Sequence, residues 1–252
     1  MKINVHAGHA AYGKGAYGAV GILNESTEAR FVKEYVMKKL KMLGHTVYDC
    51  TVDVGDKSEV LKNIVKKCNA HKVDLDVSIH FNAGAKDAIG NGQTTGTEVL
   101  VYSESSLAYA TAKSIARSIS NLGFKNRGVK KRTDLYVLKN TKSPALLIEC
   151  CFVDDKDDAV LYDAEAMANA IVEGITGVKL DSTENNSISK TDAFKVRTKD
   201  NMNIRTGPGV LYKTVDIAPI GVYTIVETKG NWGKLLSGAG WINIAYKYAT
   251  RM

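Results

Sequence analysis

Two histidines and a glutamate stand at the ends of apolar, strand-like runs of the sequence. His9 follows the first such run, His80 ends a second, and Glu149 directly follows the run Ala-Leu-Leu-Ile. Ligands of α/β folds bind beyond the carboxyl ends of strands. A carboxylate placed after an apolar strand is costly to desolvate unless a partner compensates its charge. The three side chains are therefore candidates for convergence on one metal ion.

A catalytic zinc site would account for these residue types. Such a site takes three ligands from histidine, carboxylate or thiolate side chains and leaves one position open, while a separate carboxylate accepts a proton. His9 and His80 supply two ligands. Either Glu25 or Glu28 supplies the third, because both stand where the loop after the first strand enters a helix. Spacing alone leaves that choice open.

Each of these residues also has an ordinary structural interpretation when taken alone. A histidine at a strand end is more often a polar residue with satisfied hydrogen bonds than a ligand. An acid at a helix start is favoured by the helix dipole. Only their combination favours a metal site. His6, His45 and His71 lack such a combination, and we expect them to be structural.

The elements that must hold these residues alternate between strand-like and helix-like patterns over the first 177 residues. This alternation predicts an α/β fold with a mostly parallel sheet flanked by helices. Predicted strands cover residues 2–6, 45–52, 75–80, 97–102, 135–138 and 145–152. Predicted helices cover residues 28–43, 107–122 and 163–175, with a further helix beginning at Asp56 or Ser58.

The pattern changes after residue 177. Residues 178–192 lack apolar periodicity and predict a flexible linker. Residues 193–252 contain short strand-like runs between glycine turns, which are typical of a small all-β barrel. The predicted runs are 202–205, 213–217, 223–228, 233–236 and 240–244. The sequence thus predicts two domains, 1–177 and 193–252, joined by the linker 178–192.

Composition and charge limit the classes of protein that fit. Hydrophobic residues make up 44% and charged residues 24% of the 252 residues, as in an ordinary globular protein. No apolar run approaches the length of a membrane span, and the N-terminus lacks the features of a secretory signal, so we expect synthesis in the cytosol without a signal peptide. The four cysteines show no metal-binding spacing and are expected to be reduced and buried.

Most of the net charge of +7 lies near the C-terminus. Residues 190–252 hold ten basic and four acidic residues, a net charge of +6. A basic region of this kind favours an anionic polymer as partner, either nucleic acid or a cell-wall polymer.

Four motifs in order resemble the zinc-dependent N-acetylmuramoyl-L-alanine amidases of bacterial autolysins and phage endolysins. They are Gly8-His9, Gly21–Glu25, Ser78–Ala83 and Pro144–Phe152, and the segments 95–99 and 132–138 match secondary family segments. The 19 positions from Glu25 to Gly44 also fit the family's spacing, whereas Glu28 would stand too close. The chain departs from the family in having Cys150-Cys151 after Glu149, where Gly-Phe is usual.

This resemblance implies the fold, the metal and the site residues. The expected fold is a phosphorylase/hydrolase-like α/β domain. The implied zinc ligands are His9, Glu25 and His80, and the implied catalytic carboxylate is Glu149.

The C-terminal segment resembles the bacterial SH3-like domains that bind cell-wall peptide or glycan. The matching segments are residues 202–209, 231–235 and 240–242. Aromatic side chains could supply a binding platform there, although tryptophans more often fill the core of so small a barrel. These are Trp232, Trp241, Tyr212 and Tyr223.

Together, the two resemblances imply a peptidoglycan hydrolase that cleaves the amide between N-acetylmuramic acid and L-alanine. The expected partners are peptidoglycan and anionic wall polymers, with no nucleic acid and no membrane. A wall-cutting enzyme without a signal peptide is typical of a phage or prophage endolysin acting on a Gram-positive host. Two alternatives remain: a zinc carboxypeptidase acting on wall peptides, and a catalytically silent protein that binds wall or nucleic acid. The sequence contains no aromatic-interleaved basic motif of the RNA-binding type.

Overall fold

The computed structural model describes residues 1–180, 189–210, 212–245 and 248–252, and the chain forms two compact units, Met1–Leu180 and Asp181–Met252. The strands of the first unit are β1 (Lys2–Ala7), β2 (Thr46–Asp49), β3 (Leu75–Asn82), β4 (Thr97–Val101), β5 (Asn126–Lys131) and β6 (Ala145–Phe152). Its helices are α1 (Glu25–Met42), α2 (Lys57–Asn69), α3 (Tyr109–Ser120), α4 (Tyr136–Asn140), α5 (Lys156–Leu161) and α6 (Ala164–Thr176).

The strands form one sheet in the order β2-β1-β3-β6-β4-β5. β2, β1, β3 and β6 run parallel, whereas β4 is antiparallel to β6 and β5 is parallel to β4. The prediction of a mostly parallel α/β sheet is confirmed. One edge of the sheet therefore combines the carboxyl ends of β1, β3 and β6 with the amino ends of β4 and β5.

The two faces of the sheet carry separate apolar cores. Ile79 and Ile148 lie in the core formed with α1, α3 and α6. Leu147 packs on the opposite face with α2 and α4. Because side chains of a strand alternate between faces, His80 and Glu149 lie on the α2–α4 face.

Local capping explains where two helices begin. The Asn24 side chain accepts a hydrogen bond from the Thr27 backbone N–H, so α1 begins at Glu25 and not at residue 28 as predicted. This start places Glu25 in the first turn, beside the end of β1. Asp56 and Glu59 form a capping box at the start of α2, which agrees with one of the two caps predicted for that helix.

Three predictions about the first unit were wrong or incomplete. Of the predicted strand 135–138, Leu135 is the N-cap of α4 and residues 136–138 belong to that helix. The Lys139 N–H donates to the Leu135 carbonyl and the Thr141 N–H to the Val137 carbonyl. Both bonds have the four-residue spacing of an α-helix. The edge strand β5 and the short helix α5 were not predicted, because neither has a clear apolar period.

The second unit is an antiparallel sheet in the order β13-β7-β10-β11-β12-β8-β9. Its strands are β7 (Ser189–Thr198), β8 (Met202–Arg205), β9 (Thr214–Ala218), β10 (Val222–Lys229), β11 (Trp232–Leu235), β12 (Trp241–Asn243) and β13 (Ala249–Arg251). Val196, Ile225 and Ile242 lie in its core. β7 begins inside the predicted linker 178–192, so residues 189–192 belong to a strand, while residues 181–188 lie outside the described residues.

Among the described residues, none of the helices has the length and apolar character needed to cross a membrane.

Candidate active site

Glu25 lies between the two predicted histidine ligands at the carboxyl edge of the sheet. Its Oε1 atom is 3.3 Å from His9 Nε2 and 2.9 Å from His80 Nδ1. The rings of His9 and His80 meet edge to face with centroids 5.0 Å apart. The structure thus brings together His9, Glu25 and His80, which come from the end of β1, the start of α1 and the end of β3.

Two glycines make this close approach possible. A methyl group at Gly8 would lie 2.0 Å from Cε1 of His80, and one at Gly18 would lie 2.3 Å from Oε2 of Glu25. No Cβ atom can occupy either position without displacing the ring or the carboxylate. Gly8 and Gly18 therefore form the walls against which the three side chains are packed.

Hydrogen bonds hold the Glu25 carboxylate in place and keep it charged. Oε2 accepts from the Ala19 N–H at 2.8 Å, and Oε1 accepts from the Phe81 N–H at 3.2 Å. Burial alone would raise the pKa of Glu25, but hydrogen bonds to His80 and His9 outweigh it and lower the pKa well below its ordinary value. The same contact raises the pKa of His80 despite its burial.

These three residues fit a zinc ion. One donor atom from each lies within 4.8 Å of the other two, and two imidazoles with one carboxylate form a common set of catalytic zinc ligands. Glu28, the alternative acid, accepts a hydrogen bond from the Tyr162 hydroxyl at 3.2 Å. Tyr162 packs against the core on the opposite face of the sheet, so Glu28 is directed away from the histidines.

Glu149 lies on the strand next to His80. The two residues are paired in register between β3 and β6, and their side chains share the α2–α4 face. Oε2 of Glu149 is buried and has no hydrogen-bond partner among the described residues. Burial raises the pKa of Glu149 to about 7, with repulsion from Glu25 and Glu98 adding to the effect and attraction to His80 and Arg132 opposing it.

Two further residues of this edge were not predicted as site residues. Glu98 on β4 stands directly opposite Glu149, and Arg127 on β5 donates from Nε to Oε2 of Glu98 at 2.9 Å. Glu98 lies within the segment 95–99, and the resemblance of that segment to the family could have identified it as a site residue. Arg127 carried no such signal because β5 itself was not recognised.

A set of aspartates after β6 organises the loop between β3 and β4. The Asp154 carboxylate accepts hydrogen bonds from three consecutive backbone N–H groups, including that of Lys86. Lys86 adopts a left-handed conformation with φ of 56°. Further N–H groups of the loop donate to the other aspartates: Thr95 to Asp155, Asn91 and Gly92 to Asp157, and Gly96 to Asp158.

Asp87, Asp155 and Asp157 bring carboxylate oxygens within 4.8 Å of one another. Each of them accepts at least one backbone N–H, so we assign this cluster to holding the loop.

The remaining candidates are structural. His6 is buried, and its pKa is lowered to about 3 by burial and by the neighbouring His80. All four cysteines are buried and unpaired, and burial raises the pKa of the Cys150 and Cys151 thiols well above the ordinary value. These thiols are core residues, as expected.

The aromatic residues of the second unit differ in burial. Trp241 is buried and Trp232 is partly buried, whereas the Tyr212 side chain is exposed. Tyr223 packs partly against the core of this unit, and its hydroxyl donates to the Pro219 carbonyl at 2.7 Å.

Comparison with known proteins gives a consistent family. Residues 3–178 match the N-acetylmuramoyl-L-alanine amidase family. The endolysin of Bacillus phage SPP1 is 33% identical over 180 residues, which cover 67% of this chain and 60% of the endolysin. The N-acetylmuramoyl-L-alanine amidase LytC of Bacillus subtilis is 29% identical over 162 residues, 62% of this chain and 30% of LytC. The chain spans 60% to 65% of the length of three curated relatives, the phage endolysin among them.

A solved structure agrees with the sequence matches. The catalytic domain of the CD27L endolysin targeting Clostridia Difficile superposes with a TM-score of 0.63 at 30% identity, covering 72% of this chain and 99% of that domain. The matched region, the fold and the residues gathered at the sheet edge agree, and this chain belongs to the N-acetylmuramoyl-L-alanine amidase family.

Proposed function

We propose that the chain is a zinc-dependent peptidoglycan hydrolase that cleaves the amide between N-acetylmuramic acid and L-alanine. One observation carries this proposal: His9 Nε2 and His80 Nδ1 are both directed at the same oxygen of Glu25. Three potential ligand atoms that lie this close together are suited to a metal ion that keeps one coordination position open. His9, Glu25 and His80 would hold the zinc.

Zinc bound by these ligands supplies a Lewis acid for the amide carbonyl and lowers the pKa of water. The backbone N–H groups of Ala19 and Phe81 hold the Glu25 carboxylate in position, and the hydrogen bonds with His80 and His9 keep it charged. The side chain of His9 is 36% exposed, whereas those of Glu25 and His80 are 6% and 15% exposed. Substrate therefore reaches the site from the side of His9.

Glu149 is the proposed proton-transfer residue. Its raised pKa of about 7 lies close to neutral pH, where a carboxyl group can both accept and release a proton. Oε2 of Glu149 has no partner among the described residues, which leaves it able to accept the proton of the attacking water. The same carboxyl group then returns the proton to the leaving amine of alanine.

The second unit is the proposed wall-binding domain, of the bacterial SH3-like type. Its antiparallel sheet and the net charge of +6 over residues 190–252 support binding to an anionic wall. A tethered binding domain raises the effective concentration of the catalytic unit on an insoluble substrate. The resemblance to two endolysins supports a phage or prophage origin and a Gram-positive host.

The test is digestion of purified Gram-positive cell walls by the full chain, with identification of the amino groups released. New N-terminal alanine, about one zinc ion per chain and loss of activity on chelation would support the proposal. Restoration of activity by added zinc completes the expected result. Cleavage that exposes other termini would favour a peptidase such as a carboxypeptidase. Cleavage by a zinc-free chain would return the histidines to structural roles.

A further inference from the structure

Three charged residues form a row across the sheet edge beside the candidate metal ligands. Glu149 on β6 stands in register with Glu98 on β4, and Glu98 is bonded to Arg127 on β5. Directly opposed residues of an antiparallel pair present their side chains on the same face. The row therefore extends from the proposed proton-transfer residue to the outer strand of the sheet.

The Arg127 guanidinium is held in a fixed position. Its Nε donates to Oε2 of Glu98 at 2.9 Å, and its central carbon lies 5.0 Å from the centroid of the Phe152 ring. Oε1 of Glu98 accepts from the Asn82 side-chain amide at 3.1 Å, so both oxygens of Glu98 are engaged. An arginine held by an ion pair and an aromatic ring loses little further freedom when it binds a ligand.

The terminal nitrogens of Arg127 remain available. Neither makes a hydrogen bond to a described residue, and the side chain is 34% exposed. A guanidinium that presents its two terminal nitrogens binds a carboxylate with two parallel hydrogen bonds. Arg127 thus has the geometry of a carboxylate receptor whose inner edge is already occupied by Glu98.

The surrounding charge also favours an anion. Residues 125–132 contain five basic residues and no acidic one: Lys125, Arg127, Lys130, Lys131 and Arg132. Arg132 pairs with Asp134, while Lys130 and Lys131 are exposed. The outer strand therefore presents a positive surface beside the site.

We propose that Arg127 binds a carboxylate of the peptide part of the substrate. This inference rests on the proposed amidase function. Two strand spacings separate the backbone of Arg127 from that of Glu149, which is about 10 Å, and an extended peptide advances about 3.3 Å per residue. The Arg127 side chain already extends back to Glu98, which shortens the distance from its guanidinium to Glu149. The carboxylate of the second residue of the stem peptide can therefore reach the guanidinium. The peptide then runs from the cleaved amide towards β5.

The experiment uses two soluble muramoyl peptides that differ only in whether the second residue carries a carboxylate or a carboxamide. We expect the full wild-type chain to cleave the carboxylate form with a kcat/KM about tenfold higher, near the lower end for a charge-assisted hydrogen bond because Arg127 is partly exposed. R127M and R127Q should bring the ratio of the two kcat/KM values to about one. If the R127M protein fails to fold, R127Q serves in its place, because its amide nitrogen stands at the same side-chain position as Nε of Arg127 and can still donate to Glu98.

The matched control is R117M, which removes an exposed arginine from α3 on the opposite face of the sheet. It should keep the tenfold ratio. A purely structural role for Arg127 would lower both kcat/KM values equally and leave the ratio unchanged, and that result would overturn the inference. Equal cleavage of both substrates by the wild-type chain would overturn it while leaving the amidase function intact. Failure of the wild-type chain to cleave either substrate would contradict the amidase function itself.

Discussion

Gly8 lies directly against the imidazole of His80, so that a methyl group at Gly8 would stand 2.0 Å from the ring. We expect G8A to displace the ring from Glu25 and to lower the amount of zinc retained by the chain, with loss of most wall-cleaving activity. Metal analysis after dialysis and the release of amino groups from cell walls measure the two effects.

G221A is the control for this change. A methyl group at Gly221 would lie 3.5 Å from Cε2 of the Tyr223 ring, which is an ordinary van der Waals contact. Zinc content and activity on soluble muramoyl peptides should match those of the wild type. If G8A retained zinc and activity as well, the packing of Gly8 against His80 would have no role in metal binding.

E149Q should separate metal binding from turnover. The amide cannot accept the proton of the attacking water, so we expect the rate of amide cleavage to fall by about 10²- to 10⁴-fold. Glu149 is not among the three converging donors, and zinc content should stay at the wild-type value. Near-normal cleavage by E149Q would assign proton transfer to another group.

Lys33 and Asp49 form a buried-to-surface ion pair that links α1 to β2, with 2.7 Å between Lys33 Nζ and Asp49 Oδ2. Burial alone would raise the pKa of Asp49, but hydrogen bonds to Lys33 and to the Thr51 backbone lower it below its ordinary value of 3.8. A carboxyl group whose pKa is lower in the folded than in the unfolded state stabilises the fold at pH values above its unfolded-state pKa. This stabilisation is lost as the pH falls through the folded-state pKa.

D49N should therefore lower the free energy of unfolding at pH 7 by about 1 kcal/mol, a discounted value because the Asp49 side chain is 43% exposed. The difference from the wild type should shrink as the pH is lowered below 4. Urea unfolding of both proteins across this range measures it. A difference that stays constant with pH would show that the charge of Asp49 is not the cause.

The Asp154 carboxylate accepts a hydrogen bond from the backbone N–H of Lys86 and so holds Lys86 in a left-handed conformation. Without the carboxylate this conformation is unfavourable for a residue with a side chain. We expect D154A to increase the rate of tryptic cleavage after Lys86, as measured by mass spectrometry of early digestion products. D134A removes an exposed acid that pairs with Arg132, and cleavage after Lys86 should not change in that variant.

A chain that ends after Leu180 tests the role of the second unit. It retains the compact unit Met1–Leu180 and all residues of the candidate active site. We expect unchanged cleavage of soluble muramoyl peptides and loss of retention on sedimented cell walls. Equal retention of the truncated and full chains would exclude the second unit as the main wall-binding element.

The strand ends that bring His9 and His80 together could be predicted from the sequence, because apolar runs mark the strands and parallel order aligns their ends. The choice between Glu25 and Glu28 could not be made from the residue pattern alone, and only the family resemblance favoured Glu25. The choice depends on the Asn24 cap, which sets the start of α1, and on Tyr162, a distant residue that binds Glu28.

Arg127 illustrates what the sequence pattern conceals. Its strand is an edge strand rich in lysine, and such strands lack the apolar alternation that makes a strand recognisable. The proposed role of Arg127 depends on the strand register that places Glu98 opposite Glu149. Register between strands distant in sequence is a property of the assembled sheet.

The aspartates that follow β6 have a consequence for exchanging parts between relatives. The loop between β3 and β4 contains no regular secondary structure. Its conformation is held largely by hydrogen bonds to aspartate carboxylates that lie some 60 to 70 positions later in the chain. A chimaera that receives a relative's version of this loop, without that relative's residues at positions 154–158, would have the loop sequence but lack the contacts that hold its conformation. The loop and these aspartates therefore form one structural unit, and an exchange between relatives has to move both together.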